Sequence, residues 1–269
     1  MRIALLSDIH GNLTALEAVL SDAASFGVDS FWALGDLAAI GPEPVRVLER
    51  LNGLPGFRAV RGNTDRYVVT GEGPAPSLED ARDDPGLIDL HARVKGSFAW
   101  TRGFVTGAGW LEWMEGLPVE ARMTLPDGSR LLGVHASPGR DEGDGIHPAQ
   151  SDAELAGLVA GCGADIVCAG HTHEPVLRDV NAVRVANLGC VGNPVAPDLR
   201  ASYVILDARE DGVSLHHRRG AYDHAAFSEA VHRSRHPEAD FILSHQRGER
   251  PSRVPHADHV VPESTAPAA

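Results

Sequence analysis

The sequence predicts an α/β protein built on parallel strands, and three observations carry that expectation. Apolar runs of strand length alternate with amphipathic ones of helical length through the first sixty residues. The early strand-like runs each end in a small cluster of Gly, Asp, Asn or His. A hydrophobic content of 43% over 269 residues supplies a substantial core, and no apolar run reaches the roughly eighteen residues a membrane span needs.

Residues 2–7 read as a buried strand ending at a polar turn. Residues 12–26 carry Leu13, Leu16, Ala18, Val19, Leu20 and Ala23 at helical spacing and close on Gly27. Residues 30–34 form a second strand running into Gly35-Asp36, 44–51 a helix, and 57–60 a third strand followed by a turn over 61–65. This order is that of parallel crossover units. From about 66 to 116 the rhythm changes: 71–76 and 83–86 read as loops, while 87–104 and 109–115 have helical spacing and contain Trp100, Trp110 and Trp113. We expect a helical insert, or cap, over the main domain, with the tryptophans packing its core. Sheet pattern returns at 119–125 and 130–135 around Asp127-Gly128 as a two-residue hairpin turn. A helix over 153–159, a strand over 165–169, a hairpin of 176–180 and 183–186, a strand pair over 202–207 and 213–217 and a closing helix over 222–233 complete a domain of residues 1–235. The Pro-rich stretch 244–269 reads as a disordered tail in which His245, His256 and His259 are solvated.

A net charge of −13 argues against a nucleic-acid-coating role, which needs a basic face. Lys95 is the only lysine, which excludes a Walker A phosphate loop. The N-terminus lacks a signal-peptide plan because Asp8 and His10 interrupt its apolar stretch, so the expected home is the cytoplasm. Cys162, Cys168 and Cys190 are odd in number without a CxxC pair and read as reduced, buried residues.

Five polar clusters stand at the C-terminal ends of expected strands: Asp8-x-His10, Gly35-Asp36, Gly62-Asn63, His135, and Gly170-His171-Thr172-His173. That edge of an open α/β sheet is where loops from several strands converge. Carboxylate, imidazole and amide oxygen suit Mn²⁺, Zn²⁺ or Fe rather than thiophilic metals. Each cluster alone is a weak signal; five in order, each behind an apolar run, are not.

In this series the chain resembles the calcineurin-like metallophosphoesterase superfamily, and most of all its small bacterial and archaeal branch of predicted phosphodiesterases. The run Asn187-Leu188-Gly189-Cys190-Val191-Gly192-Asn193-Pro194 is similar to a turn of that branch. The resemblance implies a four-layer α/β/β/α sandwich of two mixed sheets with two divalent metal ions at the strand ends, Mn²⁺ foremost, with Fe, Zn²⁺ or Ni²⁺ as alternatives. It assigns Asp8, His10, Asp36 and His173 to one metal and Asp36, Asn63, His135 and His171 to the other, with Asp36 bridging. It implies hydrolysis of a phosphate ester by a water held between the cations. The substrate is expected to be a small organic phosphate or nucleotide, with a diesterase preferred over a monoesterase. A scaffold that has lost catalysis is a competing reading, but all seven ligand positions are filled.

One departure stands out. Larger relatives usually carry a histidine after the Asn, where this chain, like many of the small branch, has another residue, Thr64; losing a general acid can cost on the order of 10²–10⁴ in rate for poor leaving groups. Asp65 reads either as an orienting partner of a ligand histidine or as a turn cap. His147, Arg66 and Arg140, in loops beside the ligand clusters, are candidate substrate contacts. Ser7 reads as a strand-end hydrogen-bonding residue rather than a nucleophile.

Overall fold

The first three strands carry their apolar side chains on both faces, and the architecture follows from what each face must bury. The structure is a computed structural model and describes residues 1–249. In it β1 (Arg2–Leu6), β2 (Ser30–Leu34) and β3 (Arg58–Val60) run parallel, joined by helices α1 (Leu13–Ala24) and α2 (Pro44–Asn52). Two long antiparallel strands, β9 (Ala201–Arg209) and β10 (Gly212–Gly220), extend this sheet to the order β10-β9-β1-β2-β3. The second sheet has the order β4-β5-β6-β8-β7, from β4 (Glu120–Thr124), β5 (Arg130–Val134), β6 (Ile166–Ala169), β7 (Val176–Val180) and β8 (Val183–Asn187). Within it β5, β6 and β8 are parallel, while the edges β4 and β7 are antiparallel.

Strand alternation sorts the side chains into layers. Ile3, Leu5, Trp32, Leu34, Leu131, Ile166, Cys168, Val204 and Leu206 meet in one buried cluster between the sheets. The alternate residues Ala4, Leu6, Phe31 and Ala33 face outward onto Leu16, Val19, Val47 and Leu48 of α1 and α2. On the far side Leu132, Val134 and Val167 pack against Leu155 and Val159 of α7 (Asp152–Val159). The result is the four-layer α/β/β/α sandwich.

Helix starts follow local chemistry. Asn12 accepts from Ala15 N at 2.9 Å to cap α1, and Ser151 and Glu154 form a capping box on α7. Asp223 caps α8 (His224–Ser234).

Four expectations need correction. The turn expected over 61–65 is the start of a helix, α3 (Asn63–Thr70), because Asp65 in its first turn accepts from Gly62 N at 2.9 Å and caps it. The hairpin at Asp127-Gly128 has a three-residue loop, closed by Leu125 N donating to Ser129 O at 2.8 Å, with Gly128 in the left-handed region. Part of the loop expected near residue 83 belongs to α4 (Leu78–Asp83), capped by Ser77. The expected tail begins too early: Ser244, His245 and Gln246 end helix α9 (Ala239–Gln246), whose Ile242 is buried in the core. Residues 250–269, with His256 and His259, lie outside the described residues.

Between residues 63 and 116, α3, α4, α5 (Ile88–Gly107) and α6 (Leu111–Glu115) extend the helical layer of the first sheet. Tyr67, Phe98, Val105 and Met114 are buried in the same cluster as α1 and α2, with Trp110 and Trp113 against it. Trp100 meets Phe104 at a tilt and His236 edge-on, and none of the seven candidate ligands lines the groove it borders between α2 and α5. Among the described residues no helix is long and apolar enough to cross a membrane.

Candidate metal centre

The C-terminal ends of β1, β2, β3, β5 and β6 lie side by side where the two sheets face each other, and short backbone bonds lock the loops that leave them. Asp8 N donates to Gly35 O at 3.1 Å, His10 N to Asp36 O at 2.9 Å, and Gly170 N to His135 O at 2.9 Å. These bonds bring all seven expected ligands into one unbroken series of contacts. Asp8 Oδ1 lies 3.2 Å from His173 Nε2, which is 3.4 Å from His10 Nε2. His10 Nε2 is 3.7 Å from Asp36 Oδ2, while the other oxygen, Oδ1, is 3.4 Å from His135 Nε2. Asn63 Oδ1 then lies 3.0 Å from His135 Nε2 and 3.2 Å from His171 Nδ1.

This convergence is held under strain. Asp8, His10, Asp36, His171 and His173 all have positive φ, between 48° and 70°, in a region that non-glycine residues enter at a cost. Such residues persist where surrounding structure over-determines them, and they gather at functional sites. Close approach supplies part of that determination. A Cβ at Gly62 would stand 2.1 Å from Asp36 Oδ1, and one at Gly170 would stand 1.7 Å from Ser7 Oγ, so neither loop tolerates a side chain there.

The imidazoles are oriented from behind. His10 Nδ1, His135 Nδ1, His171 Nε2 and His173 Nδ1 face the carbonyls of Ala39, Leu34, Gly143 and Asn193 at 3.1, 2.7, 2.8 and 2.9 Å. A carbonyl only accepts, so each of these nitrogens carries the proton in the neutral ring, and the other nitrogen turns a lone pair inward. Lone pairs of His10 and His173 therefore face each other at 3.4 Å, an arrangement that repels unless a cation lies between them. Asp8 Oδ1 is buried without a hydrogen bond of its own, and ligand atoms of Asp8, His10 and His173 lie within 4.8 Å of one another, as do those of Asp8, Asp36 and His135. Hard-to-borderline donors, inward lone pairs and an unsatisfied carboxylate oxygen fit divalent metal.

Electrostatics agree for His10 and His171. His173 differs: against the downward push of burial, Cys190 and Asp8 hold it well above the usual imidazole range, so that a proton on its inward nitrogen stands where a cation would. Burial, with Asp8 next, pushes Asp36 up to about 7, and burial with His173 pushes His10 down to about 3. Burial and His135 lower His171 as well. Against the upward push of burial, His173, His135 and His10 hold Asp8 below the usual carboxylate range. His10 and His171 are thus kept neutral, the form a metal requires.

Asp65 does not orient a histidine side chain. Its Oδ2 accepts from Asp36 N at 2.8 Å and Gly62 N at 2.9 Å, and its Oδ1 from Leu37 N at 3.0 Å, which ties the Asp36 loop to the start of α3. Nor is Arg66 free to meet a substrate: Asp141 at 3.1 Å, Glu142 at 2.6 Å and Glu72 at 2.6 Å hold its guanidinium. Arg140 is exposed at the end of a Ser137–Arg140 turn, and His147 has Glu154 as its electrostatic neighbour; neither touches a ligand. Ser7 Oγ lies 2.6 Å from Asp8 Oδ2, as a hydrogen-bonding residue should.

Sequence reasoning missed three supports. Tyr67 OH donates to Glu142, the carboxylate that also binds Arg66, so α3 anchors the loop whose Gly143 carbonyl orients His171. The Asn187 amide donates to Gly170 O at 2.6 Å and Ile146 O at 2.8 Å, bracing the Gly170-His171-Thr172-His173 loop. Cys190 Sγ lies 3.1 Å from Asp8 O and accepts from Asn193 N at 2.9 Å. Tyr67 and Glu142 have no motif; Asn187 and Cys190 were visible only as part of a familiar turn.

A sandwich of this topology with carboxylate, imidazole and amide ligands at facing strand ends is the architecture of a calcineurin-like metallophosphoesterase. The chain belongs to that superfamily: the model of the calcineurin-like phosphoesterase superfamily domain matches residues 1–211. It is 28% identical over 252 residues to the uncharacterized protein MJ0912 of Methanocaldococcus jannaschii, covering 88% of this chain and 94% of that one. The crystal structure of a metallophosphoesterase from Sphaerobacter thermophilus is similar at 28% identity and a TM-score of 0.67, covering 93% and 99% of the two chains. The fold is also that of the hypothetical protein PH1004 from Pyrococcus horikoshii, at 19% identity and a TM-score of 0.77, with 93% and 99% of the chains covered.

Proposed function

We propose that this protein hydrolyses phosphate esters with a pair of divalent cations, and that its substrates are phosphodiesters of small organic phosphates or nucleotides. The observation that carries the reading is the division of Asp36, whose Oδ2 faces His10 while Oδ1 faces His135. In this reading Asp8, His10, Asp36 and His173 hold one cation, and Asp36, Asn63, His135 and His171 the other. Two bound cations, Mn²⁺ by preference, supply Lewis acidity and an acidified water. The chain's own residues do the rest. Asp36 would hold both cations and supply the pair with a shared negative charge. Asn63 offers a neutral oxygen, which leaves its cation more electrophilic than a carboxylate would. Asp65 keeps these two in register through the backbone rather than by touching substrate.

The pairing of Arg61 and Arg66 supports a diester over a monoester, because Asp141, Glu142 and Glu72 hold both guanidinium groups and leave neither free for the second charge of a monoester. The three described cysteines are free, which suits the reducing cytoplasm.

The test is to strip the metal, return Mn²⁺, Fe²⁺, Zn²⁺ or Ni²⁺ singly, and compare bis-p-nitrophenyl with p-nitrophenyl phosphate. The expected result is no turnover without metal, the highest turnover with Mn²⁺, and a kcat/KM for the diester at least about tenfold above the monoester, roughly 1.4 kcal/mol in the barrier. A monoester preference would make the protein a phosphatase of the same fold. Silence with every cation would leave only a metal-binding scaffold.

A further inference from the structure

We propose that Glu142, gripped by Tyr67 and Arg66 of α3, is a positioning residue that sets the affinity for one cation of the pair, the one shared by Asn63, His135 and His171. This rests on the two-cation reading above and adds to it the device that fixes one half of the site.

Glu142 lies in the loop of residues 135–151, which leaves β5 at His135 and reaches α7. Its Oε1 accepts from Tyr67 OH and its Oε2 from Arg66 Nη2 at 2.6 Å. The Tyr67 ring has little room to follow a moving loop. It is 3% exposed, meets Phe98 edge-on at 5.5 Å and lies 4.8 Å from the Arg66 guanidinium above it. The neighbouring Asp141 strengthens the grip. Its Oδ2 accepts from Arg61 Nε at 2.8 Å and Arg66 Nε at 3.1 Å, two arginines that bracket Asn63 in the chain. Bonds between such charged groups are about twice as strong as neutral ones.

Gly143 follows directly, and its carbonyl stands 2.8 Å from His171 Nε2. The glycine has no packing of its own to aim that carbonyl, since a Cβ there would meet nothing within 4 Å. On its far side Gly145 is wedged against Thr172 and His171, where a Cβ would stand 2.8 and 3.0 Å from their side chains. On its near side the direction of the carbonyl is left to the grip on Asp141 and Glu142. That grip therefore fixes the His171 ring relative to Asn63, the first residue of α3, whose Oδ1 is 3.2 Å from His171 Nδ1. The other half of the site is held from elsewhere. The carbonyls of Ala39 and Asn193 orient His10 and His173, and Ser7 Oγ donates to Asp8. His171 N does donate to Asp8 Oδ2 at 3.0 Å, but a backbone bond is indifferent to rotation of the ring.

The experiment titrates metal-stripped wild type, Tyr67→Phe, Glu142→Ala and Glu142→Gln with Mn²⁺ by calorimetry, with thermal midpoints measured alongside. Losing an outer partner of a ligand costs about 10–100-fold in metal affinity, and a partner that acts through the adjoining carbonyl belongs at the lower end. One of the two Mn²⁺ Kd values should rise about tenfold in Glu142→Ala and somewhat less in Tyr67→Phe, with the other within twofold of wild type. Glu142→Gln keeps an acceptor for both donors and should fall between wild type and Glu142→Ala. Crystals of Glu142→Ala grown at a Mn²⁺ concentration between the two Kd values should lose the anomalous peak beside Asn63 and keep the one beside His10. Both Kd values rising together would reveal a general loosening and overturn the assignment. So would no change beyond twofold, loss of the peak beside His10 instead, a Gln variant no better than Ala, or a wild type that takes up fewer than two Mn²⁺. Failure of the phosphoesterase reading looks different: the Kd values would shift as described while wild type turned over no ester.

Discussion

Asp36→Asn is expected to lower kcat/KM on the order of 10³-fold or more, well beyond the 10–100-fold that losing an outer partner of a ligand costs. The structure also says which half of the site fails first. Thr64 N donates to Asp36 Oδ1 at 3.0 Å, so the new amide keeps its carbonyl there and turns its NH₂ into the place of Oδ2. That amino group would then face His10, 3.7 Å away, and a cation held by Asp8, His10 and His173 would lose the oxygen proposed to be shared. Metal analysis should find that cation lost, with a weakened partner on the Asn63 side. Asp8 would remain the only carboxylate among the seven ligands, too little negative charge for two divalent ions. Wild-type turnover with a full metal complement in this variant would remove Asp36 from its bridging role.

The second large effect is on stability. Asp65→Ala is expected to cost roughly 3–5 kcal/mol, because it leaves the buried N–H groups of Asp36, Leu37 and Gly62 without an acceptor at about 1–3 kcal/mol each. The opposing term is relief of a buried carboxylate, whose pKa burial and Asp36 push upward. Keeping that charge buried costs several kcal/mol. Three charge-assisted bonds of about 1.5–3 kcal/mol offset this, so relief and loss nearly cancel for the charge itself, and the orphaned donors decide the sign. At about 2–4 °C per kcal/mol for a chain of this size, the thermal midpoint should fall by roughly 10 °C. A fall of under 2 °C would show that the Asp36 loop does not depend on this carboxylate.

Those two residues mark what was legible in the sequence. Asp36 follows an apolar run and a glycine, a pattern set by where a buried strand ends, and the same logic placed β1, β2, β5 and β6. Strand faces were legible too, since alternation in a two-sided strand is local. Asp65 was seen, but its role was not: its partners Asp36 and Leu37 are 28–29 residues away, and a carboxylate after Gly-Asn-Thr reads equally as a turn. The ion pairs of Arg66 were hidden for the same reason, since Asp141 and Glu142 reach it from 75–76 residues away. Periodicity reports no ion pair at that range. The positive φ of the five ligands is invisible in a sequence that uses Asp and His where glycine would be comfortable. The end of α9 was hidden by composition: Ser244, His245 and Gln246 precede a Pro-rich stretch, while the apolar Phe241, Ile242 and Leu243 that dock the helix come just before.

The claim on which the rest depends is that seven side chains from five strand ends grip a pair of cations. Anomalous diffraction at the manganese edge from crystals grown with Mn²⁺ tests it most directly. The account predicts two peaks per chain, about 3.5–4 Å apart, with the Asp36 carboxylate between them. A single peak, or peaks away from Asp36, would contradict it.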